Sequence, residues 1–201
     1  MSKQYDLFSE SLPLEDEKKA SEKRILYFDL ETQKSSDDVG GWDNIHKMKL
    51  AVGVLWDSLE EKYFTFLEKE SKNLIKKLNA ADLVIGFNLV GFDYSVLQPY
   101  ADIDLQEIPT FDMLLDIKKK LGFRLSLNHL AKQNLKAEKA ADGLISLKWW
   151  KEGKIEKIIE YCTKDVEITR DLFLFGVKNG YLEYQSRDLN VQKLNVDWEI
   201  N

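Results

Sequence analysis

The most restrictive feature of the chain is a change of periodicity near residue 70. Before it, residues 25–31 (ILYFDLE), 49–57 (KLAVGVLWD) and 62–68 (KYFTFLE) read as strands, the last two in immediate succession. Short connections between consecutive strands predict an antiparallel meander, because parallel pairing needs a long crossover. After the change, Leu74, Ile75 and Leu78 recur at helical spacing, and strand and helix begin to alternate. A strand at 82–88 (DLVIGFN), a helix from about 91 to 100 and a fifth strand near 108–114 (IPTFDML) form βαβ units, which call for parallel pairing. The expected fold class is α/β, with a five-stranded mixed sheet of three antiparallel strands followed by two parallel ones, flanked by helices.

From Leu114 onward the pattern is helical, ending in a long helix over about 154–177 that Gly180 closes. Beyond it Leu194, Val196, Trp198 and Ile200 alternate with polar residues, so a small hairpin is expected to cover the edge of the sheet or of a helix. Residues 1–23, rich in Ser, Glu and Lys, bury little and are expected to be a mobile tail. The expected organisation is therefore a tail over 1–23, one domain over 24–180 and a β-hairpin extension over 181–201.

A chain of 201 residues with 44% hydrophobic composition can build one substantial core. Its net charge of −6 argues against a protein that holds nucleic acid mainly through a large basic surface. It does not argue against an enzyme that gathers carboxylates around metal. Local basic clusters occur at Lys118–Lys120 with Arg124, and at Lys148, Lys151, Lys154 and Lys157. They read either as solvated helix faces or as local contacts to a polyanion. No run approaches the roughly 18 apolar residues of a membrane span, and the N-terminus is too charged for a secretory signal, so a cytoplasmic protein without membrane association is expected. One cysteine, Cys162, allows neither an internal disulfide nor a cysteine-clustered zinc site.

Three short patterns carry the chemistry. Asp29 and Glu31 are two apart at the end of a buried strand, so both carboxylates leave the same face. Two acids there cost too much without a positive partner, and a divalent metal with hard oxygen ligands is the economical one. Asn88 and Asp93 sit where a strand stops and a helix begins, the usual ligand position of open α/β sheets. The competing reading makes Asp93 an ordinary helix-start acid and Asn88 a turn residue. Tyr161 and Asp165, at i and i+4 on the long helix, share one face at the edge of its apolar stripe. Each pattern recurs elsewhere in the chain. Only their joint placement on strand end, strand-to-helix junction and long helix is specific.

With the order complete, FDLET, NLVGFD and YCTKD resemble the three motifs of the DEDD exonuclease superfamily of RNase H-like fold. Tyr161 in the third motif resembles the DEDDy branch rather than the DEDDh branch, and His46 and His129 lie far from it in sequence. The resemblance covers about residues 24–179 and implies a metal-dependent 3′ to 5′ exonuclease releasing nucleoside 5′-monophosphates. It implies that Asp29, Glu31, Asp93 and Asp165 hold two Mg²⁺ or Mn²⁺ ions, and that Tyr161 orients the attacking water. A phenol with pKa of ~10 is a poor base at neutral pH. Thr32 and Asn88 are expected near the terminal nucleotide, and Phe92 is either a stacking residue beside it or a buried wedge. Trp149 and Trp150 are either packing residues or a stacking surface, and Asp112 reads as a helix-start acid.

DNA is the expected substrate, in repair or proofreading. An RNA 3′-processing exonuclease and a non-catalytic nucleic-acid-binding adaptor are the alternatives. Residues 4–8 (QYDLF) resemble the pentapeptide with which bacterial proteins bind the sliding clamp: Leu7 and Phe8 would fill an apolar pocket and Gln4 would bond at its rim. The chain also resembles RNase H-like nucleases found with superfamily 2 helicases, which makes a helicase a second candidate partner.

Overall fold

The structure, a computed structural model, describes residues 23–136 and 144–200. Strand β1 (Ile25–Thr32) is the centre of the architecture. Leu26, Phe28 and Leu30 enter one apolar cluster, while Ile25 and Tyr27 enter a second on the opposite face of the sheet. A strand covered on both faces reads as an unbroken apolar run, which is why the sequence signal was strong there. The loop after it contains a helical turn, α1 (Ser36–Val39), capped reciprocally by Ser35 and Asp38, and a 3₁₀ segment at Trp42–Lys47.

Strands β2 (Leu50–Asp57) and β3 (Lys62–Leu67) then form the antiparallel half. Helix α2 (Ser71–Asn79) buries Leu74, Ile75 and Leu78, the apolar face of its sequence pattern. Strand β4 (Leu83–Gly86) returns parallel to β1. The chain next enters a π turn at Leu89–Asp93, helix α3 (Tyr94–Leu97) and strand β5 (Thr110–Asp112), which pairs parallel with β4. Helices α4 (Met113–Leu121), α5 (Leu127–Leu135), α6 (Leu144–Lys151) and α7 (Ile155–Asn179) follow. Strands β6 (Tyr181–Gln185) and β7 (Val191–Asn195) make the C-terminal hairpin.

The sheet order is β3-β2-β1-β4-β5, the expected mixed sheet with an antiparallel and a parallel half. One face packs on α2 and α3, the other on α5, α7 and the hairpin. Burying each side chain such as Phe28 or Leu26 contributes about 1.5–3 kcal/mol, so the double-sided packing of β1 is the main anchor of the strand.

Two details differ from the sequence reading. The helix expected over 91–100 opens as a π turn and ends in a 3₁₀ turn at Gln98–Tyr100. Such turns are frequent at functional positions. The alternation of the tail outlasts its strand: Val196 and Trp198 are buried beyond β7, whereas Ile200 is exposed. Trp198 stacks on Phe173 with centroids 5.6 Å apart, and its indole donates to Asp116 at 2.8 Å. Gly176 permits this close approach, because a Cβ there would lie 2.4 Å from Trp198 Cε3. Gly180 ends α7 in the left-handed conformation at φ 73°. Among the described residues no helix is long and apolar enough to cross a membrane.

Candidate active site

The parallel pairing of β1 with β4 covers Ile25–Tyr27 against Leu83–Ile85. Asp29 and Glu31 therefore project beyond the carboxyl end of β4, on the face that carries Ile25 and Tyr27 and looks toward α7. This is the crevice where the strand order switches from one side of β1 to the other, the common ligand position of such sheets. A register shift between Glu31 and Thr32 in the pairing with β2 ends the regular strand beside the two acids.

Helix α7 brings Asp165 to the same place. Ligand atoms of Asp29, Glu31 and Asp165 all lie within 4.8 Å of one another. Asp165 is 4% exposed and Tyr161, one turn earlier, is 6% exposed. Both lie within the buried face of α7 rather than at its margin, because α6 and β1 close over that part of the helix. Trp149 of α6 meets the Tyr161 ring edge-on at 6.1 Å, and Trp150 packs partly buried against the same core.

Asp93, on the π turn, lines the same cavity as these three acids. It is 2% exposed, and it makes no side-chain cap bond to the helix that follows. Its Oδ1 has no hydrogen-bond partner among the described residues. Burial, reinforced by the charges of Asp112 and Glu31 and opposed by backbone hydrogen bonds, pushes its carboxyl well above the usual range. A helix-capping role thus does not account for Asp93. A desolvated acid beside three others needs either a proton or a cation, and oxygen-only donors of this kind suit Mg²⁺ or Mn²⁺.

Several residues set this geometry, and their signals in the sequence were weak. Asp112 is the helix-start acid expected, accepting from Leu114 N at 3.0 Å and Leu115 N at 3.3 Å. It also reaches across to Asn88 N at 2.9 Å and Val90 N at 3.0 Å, tying β5 to the turn that carries Asp93. Asn88 occupies the left-handed region at φ 76°, which Asn tolerates better than most residues, and its Oδ1 accepts from Arg124 at 3.3 Å. Ser146 of α6 donates to Glu31 Oε2 at 2.5 Å. The Cys162 thiol donates to Asp29, 3.4 Å from its carbonyl oxygen and 3.6 Å from Oδ2. Burial first, and then the surrounding carboxylates, hold that thiol well above its usual pKa, so it stays protonated and can keep donating. Cys162 was legible only as part of the apolar stripe, and Ser146 carried no signal at all.

Thr32 lies at the strand end and donates to Lys34 O at 2.9 Å. Phe92 is partly buried against the core and meets Trp42 edge-on. Two cavities border the carboxylates. One, of about 320 Å³, is lined by Thr32, Lys34, Trp42, Phe92 and Leu147 among others. The other, of about 410 Å³, is lined by Arg124, Ser126 and Leu127. Asp29, Phe87, Asn88 and Asp165 border both. His46 is exposed on its 3₁₀ turn, and His129 accepts from Gln185 N at 3.0 Å in the contact between α5 and the hairpin. Of the basic clusters, Lys120 pairs with Asp116 and Asp197, while Lys148 and Lys154 pair with Glu152. Gln4, Leu7 and Phe8 lie outside the described residues.

A family model described as the RNase H superfamily matches residues 26–174. No curated protein matches the chain.

Proposed function

Because the chain belongs to the RNase H superfamily, we propose that its nuclease domain is a metal-dependent 3′ to 5′ exonuclease acting on DNA, in repair or proofreading. The observation that carries the reading is the convergence of Asp29, Glu31 and Asp165 within 4.8 Å, with the buried, part-unsatisfied Asp93 lining the same cavity. Four carboxylates from three separate elements are costly to assemble without a cation.

In this reading Asp29, Glu31 and Asp165 would hold one divalent ion, with Asp29 shared with a second that Asp93 would support through water. Ions bound there would supply Lewis acidity toward the phosphoryl oxygens. Ser146 and Cys162 fix the rotamers of Glu31 and Asp29 by donating to them. Tyr161, held by Trp149, positions a water for in-line attack on phosphorus. The water oxygen bonds to phosphorus, the bond from phosphorus to the 3′-oxygen of the penultimate nucleotide breaks, and that oxygen ends protonated. The products are a nucleoside 5′-monophosphate and a strand one nucleotide shorter. Asn88, braced by Arg124, and Thr32 contact the terminal nucleotide. The preference for DNA and the tether to a sliding clamp rest on residues 4–8 of the sequence.

The test is a time course on 5′-labelled single- and double-stranded DNA and RNA with Mg²⁺, Mn²⁺ or EDTA. A ladder receding from the 3′ end, present only with metal and lost in Asp29→Ala and Asp165→Ala, is the expected result. Faster loss of RNA than DNA would favour the RNA-processing reading. Binding without any metal-dependent product would leave only a non-catalytic adaptor.

A further inference from the structure

Helix α6 is anchored differently from its neighbours. Helices α2, α3, α4, α5 and α7 each bury apolar side chains, whereas the one buried residue of α6 is Ser146, 1% exposed. Its apolar side chains stay open to water in part: Leu144 is 67% exposed, and Trp149 and Trp150 are only partly buried against the core. What a buried leucine would do without direction, Ser146 does with direction. Its hydroxyl donates to Glu31 Oε2 at 2.5 Å, the short range of a hydroxyl on a charged carboxylate. The helix packs chiefly on α7 and β1. It joins α7 through residues 152–154, all exposed, where Gly153 is left-handed at φ 69° with open space around a Cβ position. No buried side chain fixes that joint. Leu144, Ser146 and Leu147 nevertheless line the 320 Å³ cavity together with Asp29, Glu31, Asp93 and Asp165. The helix thus walls the carboxylates while hanging on one of them.

We propose that α6 is a cation-responsive cover of this cavity, docked through Ser146 on Glu31, so that closure of the helix and occupation of the carboxylate cluster favour one another. The inference rests on the nuclease reading above and adds how the same site is regulated. The physical reason lies in Glu31. Carboxylates with ligand atoms within 4.8 Å of one another repel, and a cation-free Glu31 relieves the repulsion by turning away, which takes the acceptor from Ser146. With a divalent ion on the cluster, Glu31 stays in place, and its oxygen facing Ser146 remains a strong acceptor. Such coupling is reciprocal: the factor by which the cation favours docking of α6 is the factor by which docking favours the cation. Closure also seats Trp149 against Tyr161, so the movement that completes the cluster sets the phenol as well. With α6 lifted, Leu144 and Leu147 leave the cavity wall and the site stands open to a strand.

The experiment reads the helix and the ion separately. Amide hydrogen exchange of the full-length protein is followed by mass spectrometry in EDTA and in saturating Mn²⁺, and Mn²⁺ affinity is measured by calorimetry. In the wild type Mn²⁺ is expected to slow exchange in peptides spanning 144–151 roughly 10-fold or more, with no comparable change in the hairpin of β6 and β7. Ser146→Ala is expected to weaken Mn²⁺ binding roughly 10- to 100-fold and to leave α6 exchanging fast with or without the ion, while α7 exchanges as before. Glu31→Gln keeps an acceptor oxygen but removes the repulsion, so its α6 should exchange slowly even in EDTA. Mn²⁺ bound by the wild type without slowing of α6, or Ser146→Ala binding Mn²⁺ as tightly as the wild type, would overturn the cover and leave the nuclease reading standing. A wild type that binds no Mn²⁺ would overturn both. The nuclease reading alone fails if Mn²⁺ binds and slows α6 while metal-dependent cleavage is absent.

Discussion

Replacing Asp93 by Asn should make the metal-free protein more stable at alkaline pH, although it removes part of the proposed active site. Asp93 is 2% exposed, with one carboxylate oxygen lacking a partner among the described residues and with the charges of Asp112 and Glu31 acting on it. Its folded pKa is raised above 3.8, so its contribution to stability is fully present below about that pH. That contribution is lost as the pH rises through the folded value. Above pH 3.8 the raised pKa costs stability, at about 1.36 kcal/mol for each unit by which the folded value exceeds the unfolded one. A buried Asn amide left short of hydrogen bonds forfeits about 1–3 kcal/mol of that. We expect a net gain of about 1–3 kcal/mol in EDTA at pH 8, with Tm rising about 2–4 °C for each kcal/mol in a chain of this size. At pH 4 the gain should vanish or change sign. Saturating Mg²⁺ or Mn²⁺ should restore the wild type by about 2.7 kcal/mol at 100-fold over its Kd, and the variant by less. Differential scanning fluorimetry across pH, with EDTA and with metal, gives all four quantities. An Asp93→Asn protein less stable than wild type by the same margin at pH 4 and pH 8 would refute the claim that Asp93 is an uncompensated buried acid.

Other perturbations test separate parts of the site. Tyr161→Phe should lower kcat by about 10²-fold while leaving metal affinity, read by calorimetry, unchanged, because the phenol is assigned to water and not to metal. Asp112→Ala removes the acceptor of four backbone N–H groups and should destabilise the fold by about 2–4 kcal/mol in urea unfolding, with an accompanying loss of metal affinity as the Asp93 turn loosens. Cys162, buried and held protonated, should resist iodoacetamide at pH 8 in the folded protein and react only on unfolding; rapid labelling of native protein would contradict its placement. Gly176→Ala should cost about 1–3 kcal/mol and change the tryptophan fluorescence, since its Cβ meets the Trp198 ring.

The sheet was legible because its two halves obey different local rules. The meander of β2 and β3 follows from short connections, and β4 and β5 follow from the interposed helical spacing. The acids of β1 and α7 were legible as candidates by periodicity, which places Asp29 with Glu31 and Tyr161 with Asp165 on common faces. Periodicity cannot report how deep a face lies, so Tyr161 and Asp165 were expected at the margin of a stripe that α6 and β1 in fact cover. The supporting bonds were illegible for a different reason. Ser146 meets Glu31 across 115 positions and Cys162 meets Asp29 across 133, and no local pattern encodes a contact of that range. Trp42 escaped notice because an aromatic residue in a polar loop gives no periodic signal, although it borders the cavity that the carboxylates line.

Hydrolysis at the 3′ end by metal held on Asp29, Glu31, Asp93 and Asp165 is decided by mass spectrometry of the products formed from an unlabelled oligonucleotide in H₂¹⁸O. With Mg²⁺ or Mn²⁺ the wild type should release nucleoside 5′-monophosphates carrying one ¹⁸O on phosphorus, and neither EDTA-treated protein nor Asp29→Ala should release any. Nucleoside 3′-phosphates, internal fragments with no mononucleotide, or the same products from Asp29→Ala would contradict it.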